Sequence, residues 1–442
     1  MKLIPLGGGR EIGANCFYME LGNSRIILDA GRHPTKDGYD SLPELDAIDH
    51  VDAVIISHSH YDHVSSLPCV VQRWPGVRVI TSADNKQTAL RILHNSVEVM
   101  KKRNEKDSEP VLYNHGEINA LKKTIEDIEY GDTVFLGKDL RLELFPAGHV
   151  MGASSALLSL NGNRVFYTGD ISLSNQFTVP HASLPENSDV VISEGTYGMS
   201  EQSVSTRYEE LKRLIDLISA TVDSGGRVLL PVFALGRGQE AIYMVLKAIE
   251  EERLPRVPVY INGMISALTG IYLQTYLRAD QKTRSWLASA MNRYTTVLPK
   301  NIDRVLLSRK PAIMILSSGM LVEETLSYLF ASHMVKSERD SIIFMGYQSP
   351  DSPGFHLLKA FKEGEDTFLF DQEEVELRCR AIENMNFSGH ATYEELLSIP
   401  RQLGSSRLVL VHGDSNALEN IAHEVMYEFD VDIPSNLEEV VF

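Results

Sequence analysis

Residues 57–68 read SHSHYDHVSSLP and place His58, His60, Asp62 and His63 within six residues of a chain that has 14 histidines in all. The run just before it, VDAVIISHSH, is a Val/Ile-rich strand pattern that brings these polar groups to its C-terminal end. A solvated loop has no need of so many imidazoles, and a core satisfies them poorly. If the strand direction persists, His58 and His60 point the same way and grip one cation, while Asp62 and His63 aim at a second after a turn. Neutral imidazole and carboxylate suit zinc, manganese or iron. Two such ions roughly 3.5–4 Å apart can clamp an in-line displacement at phosphorus.

Four residues do not fill two coordination shells. The missing ligands are expected at other strand ends, and three motifs place them there: His149 in AGHVMGAS, Asp170 in YTGD and His412 in VHGD. Aspartate can serve two cations because its oxygens diverge. Further strand patterns cover SRIILDAG, which ends in Asp-Ala-Gly, and GVRVITS; with VDAVIISHSH, the patterns LRLELFPAGHV, NRVFYTGDIS and DVVISEGTYG deliver His58, His149, Asp170 and Glu194 just past their ends. From about residue 206 the pattern changes to amphipathic helices alternating with buried strands, including GGRVLLPVF, VPVYING, AIMILSSGM and DSIIFMGYQSP. This predicts an α/β unit with largely parallel pairing. Histidine-bearing motifs resume with FSGHATYEELL and VHGD. The expected organisation is one domain over 1–200, an inserted domain over 201–375 and a C-terminal completion of the first over 376–442.

This series of motifs resembles the metallo-β-lactamase fold hydrolases, and its continuation resembles their β-CASP branch, across nearly the whole chain. Glu194 in SEGTYG looks like motif A, His390 in FSGHA like motif B and His412 like motif C; PVFALGRGQE, SSGML and FMGYQSP resemble the inserted domain. The resemblance implies an αββα sandwich with an α/β insertion and a zinc-dependent ribonuclease. A histidine at motif C points to the RNA-processing members. The activity would be endonucleolytic, with 5′–3′ exonuclease action also open. His58, His60 and His149 would hold one zinc, and Asp62, His63 and His412 the other, with Asp170 bridging; manganese is the alternative metal. Asp62, His390 and Glu194 would be catalytic: Asp62 orienting the nucleophile, His390 as general acid, Glu194 fixing its tautomer. Asp29 would orient the His-rich loop from behind. Two departures stand out. Thr392 follows Ala391 where relatives often have Asp, and Gly238 stands where Thr is common.

Composition sets further expectations. The apolar fraction of 43 % and charged fraction of 23 % are those of a globular protein. No apolar run approaches the roughly 20 residues that span a bilayer. The N-terminus, MKLIPLGGGREIG, does not read as a secretory signal. Cys16, Cys69 and Cys379 are widely spaced and suit a reducing cytoplasm. The net charge of −18 disfavours indiscriminate nucleic-acid binding. Locally, however, residues 278–310 carry Arg278, Lys282, Arg284, Arg293, Lys300, Arg304, Arg309 and Lys310 against Asp280 and Asp303, eight cations to two anions. The inserted domain is therefore expected to close over the metal site and supply a cationic wall, with Arg284, Arg293 and Lys300 as RNA contacts. Ser318 of SSGML and Arg237 at the glycine turn of ALGRGQE are further substrate-binding candidates. GGGR at 7–10 lacks the Lys-Ser/Thr of a P-loop and reads as a tight turn. His94, His115, His181, His333 and His356 read as packing or surface residues without companions. The expected partner is RNA, with a homodimer as the one self-assembly considered. Two rivals remain: a small-molecule hydrolase of thioesterase or lactonase type, which needs neither the insertion nor the Glu194–His390 pair, and a non-catalytic RNA-binding subunit, which would have lost ligands.

Overall fold

A computed structural model describes residues 1–199, 205–275 and 280–442. The chain divides into two compact units. The first comprises Met1–Asn175, Val179–Gln202 and His390–Phe442; the second comprises Gln176–Thr178 and Ser203–Gly389.

The first unit is built on two seven-stranded sheets. One runs in the order Val440–Val441, Lys2–Gly7, Cys16–Leu21, Ser24–Leu28, Ala53–Ile55, Arg78–Ser82, Ile125–Ile128. The other runs Asp430–Asp432, Arg407–Val411, Val190–Glu194, Asn163–Tyr167, Ser154–Leu160, Leu140–Pro146, Thr133–Leu136. Leu3, Phe17, Met19 and Ile26 of one sheet pack against Leu142, Leu158, Val165 and Val409 of the other. The outer faces are covered by helices. Ala83–Asp107 contributes Leu90, Leu93 and Val97 on one side, and Tyr393–Gln402 and Ser415–Val425 contribute Leu396, Ile399, Leu418 and Ile421 on the other. This is the four-layer αββα sandwich. The chain's last segment adds Val440–Val441 to the first sheet, beside Lys2–Gly7, and two strands to the second, Arg407–Val411 beside Val190–Glu194 and Asp430–Asp432 beyond it.

The second unit holds a six-stranded sheet whose pairings are all parallel, in the order Thr295–Val297, Val259–Ile261, Ala312–Leu316, Arg227–Pro231, Ser341–Phe344, Ala381–Asn384. Its central strands are buried from end to end, as a sheet with helices on both faces requires. The helix Arg207–Asp223 starts at Thr206, where Thr206 and Glu209 form a capping box. The division falls at 389/390, beyond the 375/376 expected from sequence, because Ala381–Asn384 pairs with Ser341–Phe344 and so belongs to the inserted sheet.

Arg227 anchors one end of this sheet. Its amide, Nε and Nη2 donate to the Asp340 carboxylate at 2.8, 3.0 and 2.6 Å, and Nη1 donates to the Leu306 carbonyl at 2.8 Å. Both side chains are buried. Removing one partner of such a pair leaves an uncompensated charge. Asp340→Ala is therefore expected to cost about 3–5 kcal/mol of unfolding free energy, read from urea denaturation. A loss within the range of an ordinary surface substitution would show the pair to be dispensable.

Candidate metal centre

The SHSHYDH stretch begins two residues after the strand Ala53–Ile55 and turns into the short helix Tyr61–Val64, with His60 at its N-cap. Residues 29–32 lie directly against this turn. Ala30 N donates to the His63 carbonyl at 2.8 Å and Asn15 N to the Asp62 carbonyl at 2.9 Å. The approach requires glycine at 31: a Cβ there would sit 1.6 Å from the Asp62 carbonyl oxygen. Gly148 is required for a second reason. Its φ is +74°, and a Cβ would lie 2.4 Å from the Ser172 carbonyl oxygen. The glycines after Leu6 form a turn in which the Gly8 carbonyl accepts from His412 N at 2.8 Å.

The side chains converge as two groups around one carboxylate. His60 Nδ1 lies 3.1 Å from His58 Nε2 and 3.0 Å from His149 Nε2. Asp170 Oδ2 faces that group, 3.4 Å from His58 Nε2 and 3.5 Å from His149 Nε2. Asp170 Oδ1 faces the other, 3.4 Å from His63 Nε2 and 3.3 Å from His412 Nε2. Asp62 Oδ2 completes the second group, 3.6 Å from His63 Nε2. Within each group the potential ligand atoms all lie within 4.8 Å of one another. Asp170 Oδ1 is buried and accepts no hydrogen bond among the described residues. An acceptor held among imidazole nitrogens without a donor is an environment that a cation satisfies, so these residues fit metal.

The charge balance without metal points the same way. Burial, then the neighbouring imidazoles of His63, His60 and His149, pushes His58 well below the usual histidine range. Burial, then His63, lowers His412 to about 4. Burial raises Asp170 to about 7. His63 goes the other way, to about 10, because Asp170, Asp62 and Asp29 together outweigh a burial effect that opposes them. The cluster thus collects a proton on His63, the position where a metal ion would replace it.

Behind the candidate ligands, Asp29 is fully buried. Its Oδ1 accepts from Ser57 N at 2.7 Å; its Oδ2 accepts from Ser57 Oγ at 2.7 Å and Tyr167 Oη at 2.7 Å and lies 2.8 Å from His63 Nδ1. With Nδ1 directed to Asp29, His63 presents the lone pair of Nε2 to the centre. Sequence reading did not single out Ser57, Tyr167 or Asn15, whose Nδ2 is 3.0 Å from His63 Nε2. Tyr167 had a signal in its place, since it ends the strand whose next residues are Thr-Gly-Asp. Asn15 had none.

Glu194 and His390 form a pair beside Asp170. His390 Nδ1 is 2.8 Å from Glu194 Oε2 and 3.9 Å from Asp170 Oδ2, and Glu194 Oε1 accepts from Ile171 N at 2.8 Å. Burial opposes protonation of His390, but Glu194 and then Asp170 raise it to about 9. Glu194 is lowered despite burial, first by His390. The side chains of His58, His63, Asp170, His149 and His412 are 0–4 % exposed, whereas those of Asp62 and His390 keep 20 % and 17 %. His60 is half-buried as well, so these three are the members of the cluster partly open to solvent.

The substrate-binding candidates lie in the second unit. Arg284, Arg293 and Lys300 are exposed; Arg293 lies over the Tyr294 ring and 3.8 Å from Glu250. Arg278 falls outside the described residues. Ser318 Oγ accepts from Val322 N at 2.8 Å. Arg237 is a correction. The helix Arg237–Glu250 does begin at the glycine turn, but Arg237 is buried, not presented at the surface, and its guanidinium donates to the Phe387 carbonyl and Gln176 Oε1. A second correction concerns His94 and His115, expected to lack companions. Their Nδ1 atoms are 2.8 Å apart, and Glu98 lies 2.6 Å from His115 Nε2, because the helices Ala83–Asp107 and His115–Thr124 pack side by side.

Asp29→Ala is expected to lower metal affinity by about 10–100-fold while leaving every direct ligand in place. Equilibrium dialysis with elemental analysis checks it, and Tyr167→Phe, which removes one of the hydrogen bonds to Asp29, should have a smaller effect of the same sign.

Three family models match the chain in order: the metallo-beta-lactamase superfamily over residues 9–217, the Beta-Casp domain over 238–357 and the Zn-dependent metallo-hydrolase RNA specificity domain over 374–434. Transcription termination factor FttA of Methanothermobacter thermautotrophicus is 28 % identical over 99 % of this chain and 71 % of its own. Endoribonuclease YSH1 of Candida glabrata is 30 % identical over 97 % of this chain and 56 % of its own. Cleavage and polyadenylation specificity factor subunit 3-I of Arabidopsis thaliana is 29 % identical over 96 % and 61 %. The chain therefore spans little more than half of the endoribonuclease. A crystal structure of a protein of unknown function from Enterococcus faecalis V583 shares the fold, with a TM-score of 0.60 at 16 % identity over 100 % of this chain and 99 % of that one. The chain belongs to the metallo-beta-lactamase superfamily, in the group that carries a Beta-Casp domain.

Proposed function

We propose that this chain is a metal-dependent ribonuclease that hydrolyses RNA phosphodiester bonds, with zinc as the metal and manganese as the alternative the same donors accept. The observation that carries it is the placing of Asp170, one oxygen toward His58, His60 and His149 and the other toward His63 and His412, with the His390–Glu194 pair alongside. In this reading His58, His60 and His149 hold one ion, Asp62, His63 and His412 hold the other, and Asp170 serves both. The ions, when bound, would lower the pKa of water and neutralise charge at phosphorus.

The chain's own groups complete the reaction. Asp62, partly exposed beside His63, orients the attacking water and takes up its proton. As the new bond to phosphorus forms, the bond to the leaving ribose oxygen breaks, and that oxygen needs a proton. His390 is placed to give it. Its Nδ1 is held by Glu194, so the transferable proton is on Nε2, and the carboxylate keeps the ring in its protonated form until the step occurs. The match to an RNA specificity domain over 374–434, which contains His390 and His412, supports RNA as the substrate, as do the relatives named as endoribonucleases. A thioesterase or lactonase leaves the His390–Glu194 pair and the inserted sheet without a role.

His390→Ala is expected to retain metal and lose about 10²–10⁴-fold in RNA cleavage; Asp170→Ala is expected to lose metal. Elemental analysis and cleavage of a labelled RNA separate the two, and wild-type cleavage by His390→Ala would refute the assignment. Reversing Arg284, Arg293 and Lys300 to Glu is expected to flatten the salt dependence of RNA affinity, by about 0.7 in log–log slope for each phosphate no longer neutralised. Hydrolysis of a small phosphodiester should be spared. Equal slopes for wild type and variant would place the RNA on another surface.

A further inference from the structure

The outer face of the second sheet in the first unit is only partly covered. The helices Tyr393–Gln402 and Ser415–Val425 pack against Val190–Glu194, Arg407–Val411 and Asp430–Asp432. The strands Leu140–Pro146, Ser154–Leu160 and Asn163–Tyr167 extend beside that cover. There the register sets Arg141 opposite Ser159 and Ser159 opposite Arg164, so two arginines flank a small residue in one row. Leu140, Leu142 and Leu144 point into the core between the sheets, which turns Arg141, Glu143 and Phe145 outward. With Leu184 and Pro185 these residues line a depression of about 450 Å³. That lies within the range of small-molecule sites, roughly 300–1,000 Å³.

Its charges are set for a ligand. Arg164 Nε is buried and has no hydrogen-bond partner among the described residues. The nearby Asp189 carboxylate accepts from the Arg164 backbone amide at 2.7 Å. The backbones of the two arginines are two strands apart, roughly 10 Å, so both side chains can reach one anion placed over Ser159. One step along the strand, Glu143 accepts hydrogen bonds when ionised and donates none. Phe145, Leu184 and Pro185 then supply an apolar wall. The order is a site for an anion, a site for a donor and a surface for a flat ring.

We propose that this depression binds a nucleoside monophosphate, its phosphate on Arg141 and Arg164, an amino group of its base on Glu143 and its ring against Phe145. Glu143 and Glu186 at the lining disfavour additional phosphates. The site is separate from the ribonuclease reading, since none of its residues is a candidate ligand or part of the His390–Glu194 pair.

The test is titration calorimetry of the full-length, metal-loaded chain with AMP, GMP, CMP, UMP and inorganic phosphate. The three amino-bearing nucleotides are expected to bind more tightly than UMP, and all four more tightly than phosphate. Arg141→Ala with Arg164→Ala should weaken binding by about tenfold or more, and Arg141→Ala alone, at an exposed position that leaves folding intact, should weaken it in the same direction. Glu143→Gln should remove the preference over UMP. RNA cleavage should be unchanged in all three variants. Equal affinity for phosphate and nucleotide would mean an adventitious ion only and would overturn the proposal. So would absence of binding at millimolar nucleotide, or equal binding by wild type and double variant, which would assign the nucleotide to the metal centre.

Discussion

The parallel pairing of Val190–Glu194 with Arg407–Val411 makes one site out of distant parts of the chain. The register sets Glu194 opposite Val411, so the residue after that strand, His412, is placed at the same sheet end as Glu194. The neighbouring pairing of Asn163–Tyr167 with Val190–Glu194 puts Asp170 beyond the same end. An inserted unit of nearly two hundred residues leaves and returns between Glu194 and His412 without disturbing this register. A shift of one residue would turn every side chain of the returning strand to the opposite face and carry Leu408, Val409 and Leu410 out of their layers. The hydrophobic pattern that stabilises the sandwich therefore fixes the position of His412, the C-terminal candidate ligand.

Packing five imidazoles and two carboxylates into a mostly buried pocket is unfavourable unless something compensates. Asp29 supplies part of that compensation at Nδ1 of His63, and the loop amides hold the turn, but neither satisfies Asp170 Oδ1. In the absence of metal, Asp170, Asp62 and Asp29 favour the protonated form of His63 against a burial effect that opposes it. A divalent ion provides more charge at the same place, and its binding adds to folding stability because the unfolded chain has no such site. His63 and His412 lie side by side, ring centroids 5.0 Å apart, and shift in opposite directions: three carboxylates raise His63, while burial and the neighbouring His63 lower His412.

What the sequence disclosed follows the same physics. His58, His60, Asp62 and His63 were legible because they lie within a single turn of chain, and His149, Asp170 and His412 because each ends an apolar strand pattern. The α/β character of the insertion was legible from strands buried on both faces. Contacts set by tertiary approach were not. Asn15 meets His63 only because Gly31 lets two loops touch, and His94 meets His115 only through helix packing. Arg237 shows the converse: its glycine turn was correctly read as a helix start, but which way the guanidinium turns depends on Phe387 and Gln176, far away in sequence.

The net charge of −18 does not decide how such a chain meets a polyanion. At physiological ionic strength, charges more than roughly 8 Å apart in solvent are largely screened, so RNA responds to local groups and not to the sum. Of the chain's arginines, Arg227 is buried against Asp340 and Arg237 against backbone and Gln176, and neither presents charge to solvent. Arg284, Arg293 and Lys300 are exposed, and of these Arg293 has Glu250 in range, at a separation and exposure where an ion pair is weak. These three are among the cations open to solvent, beside others such as Lys101, Lys102, Lys122 and Lys123 in the first unit. The sum of −18 therefore argues against indiscriminate binding without deciding where a polyanion would meet the chain, which is set by the local groups.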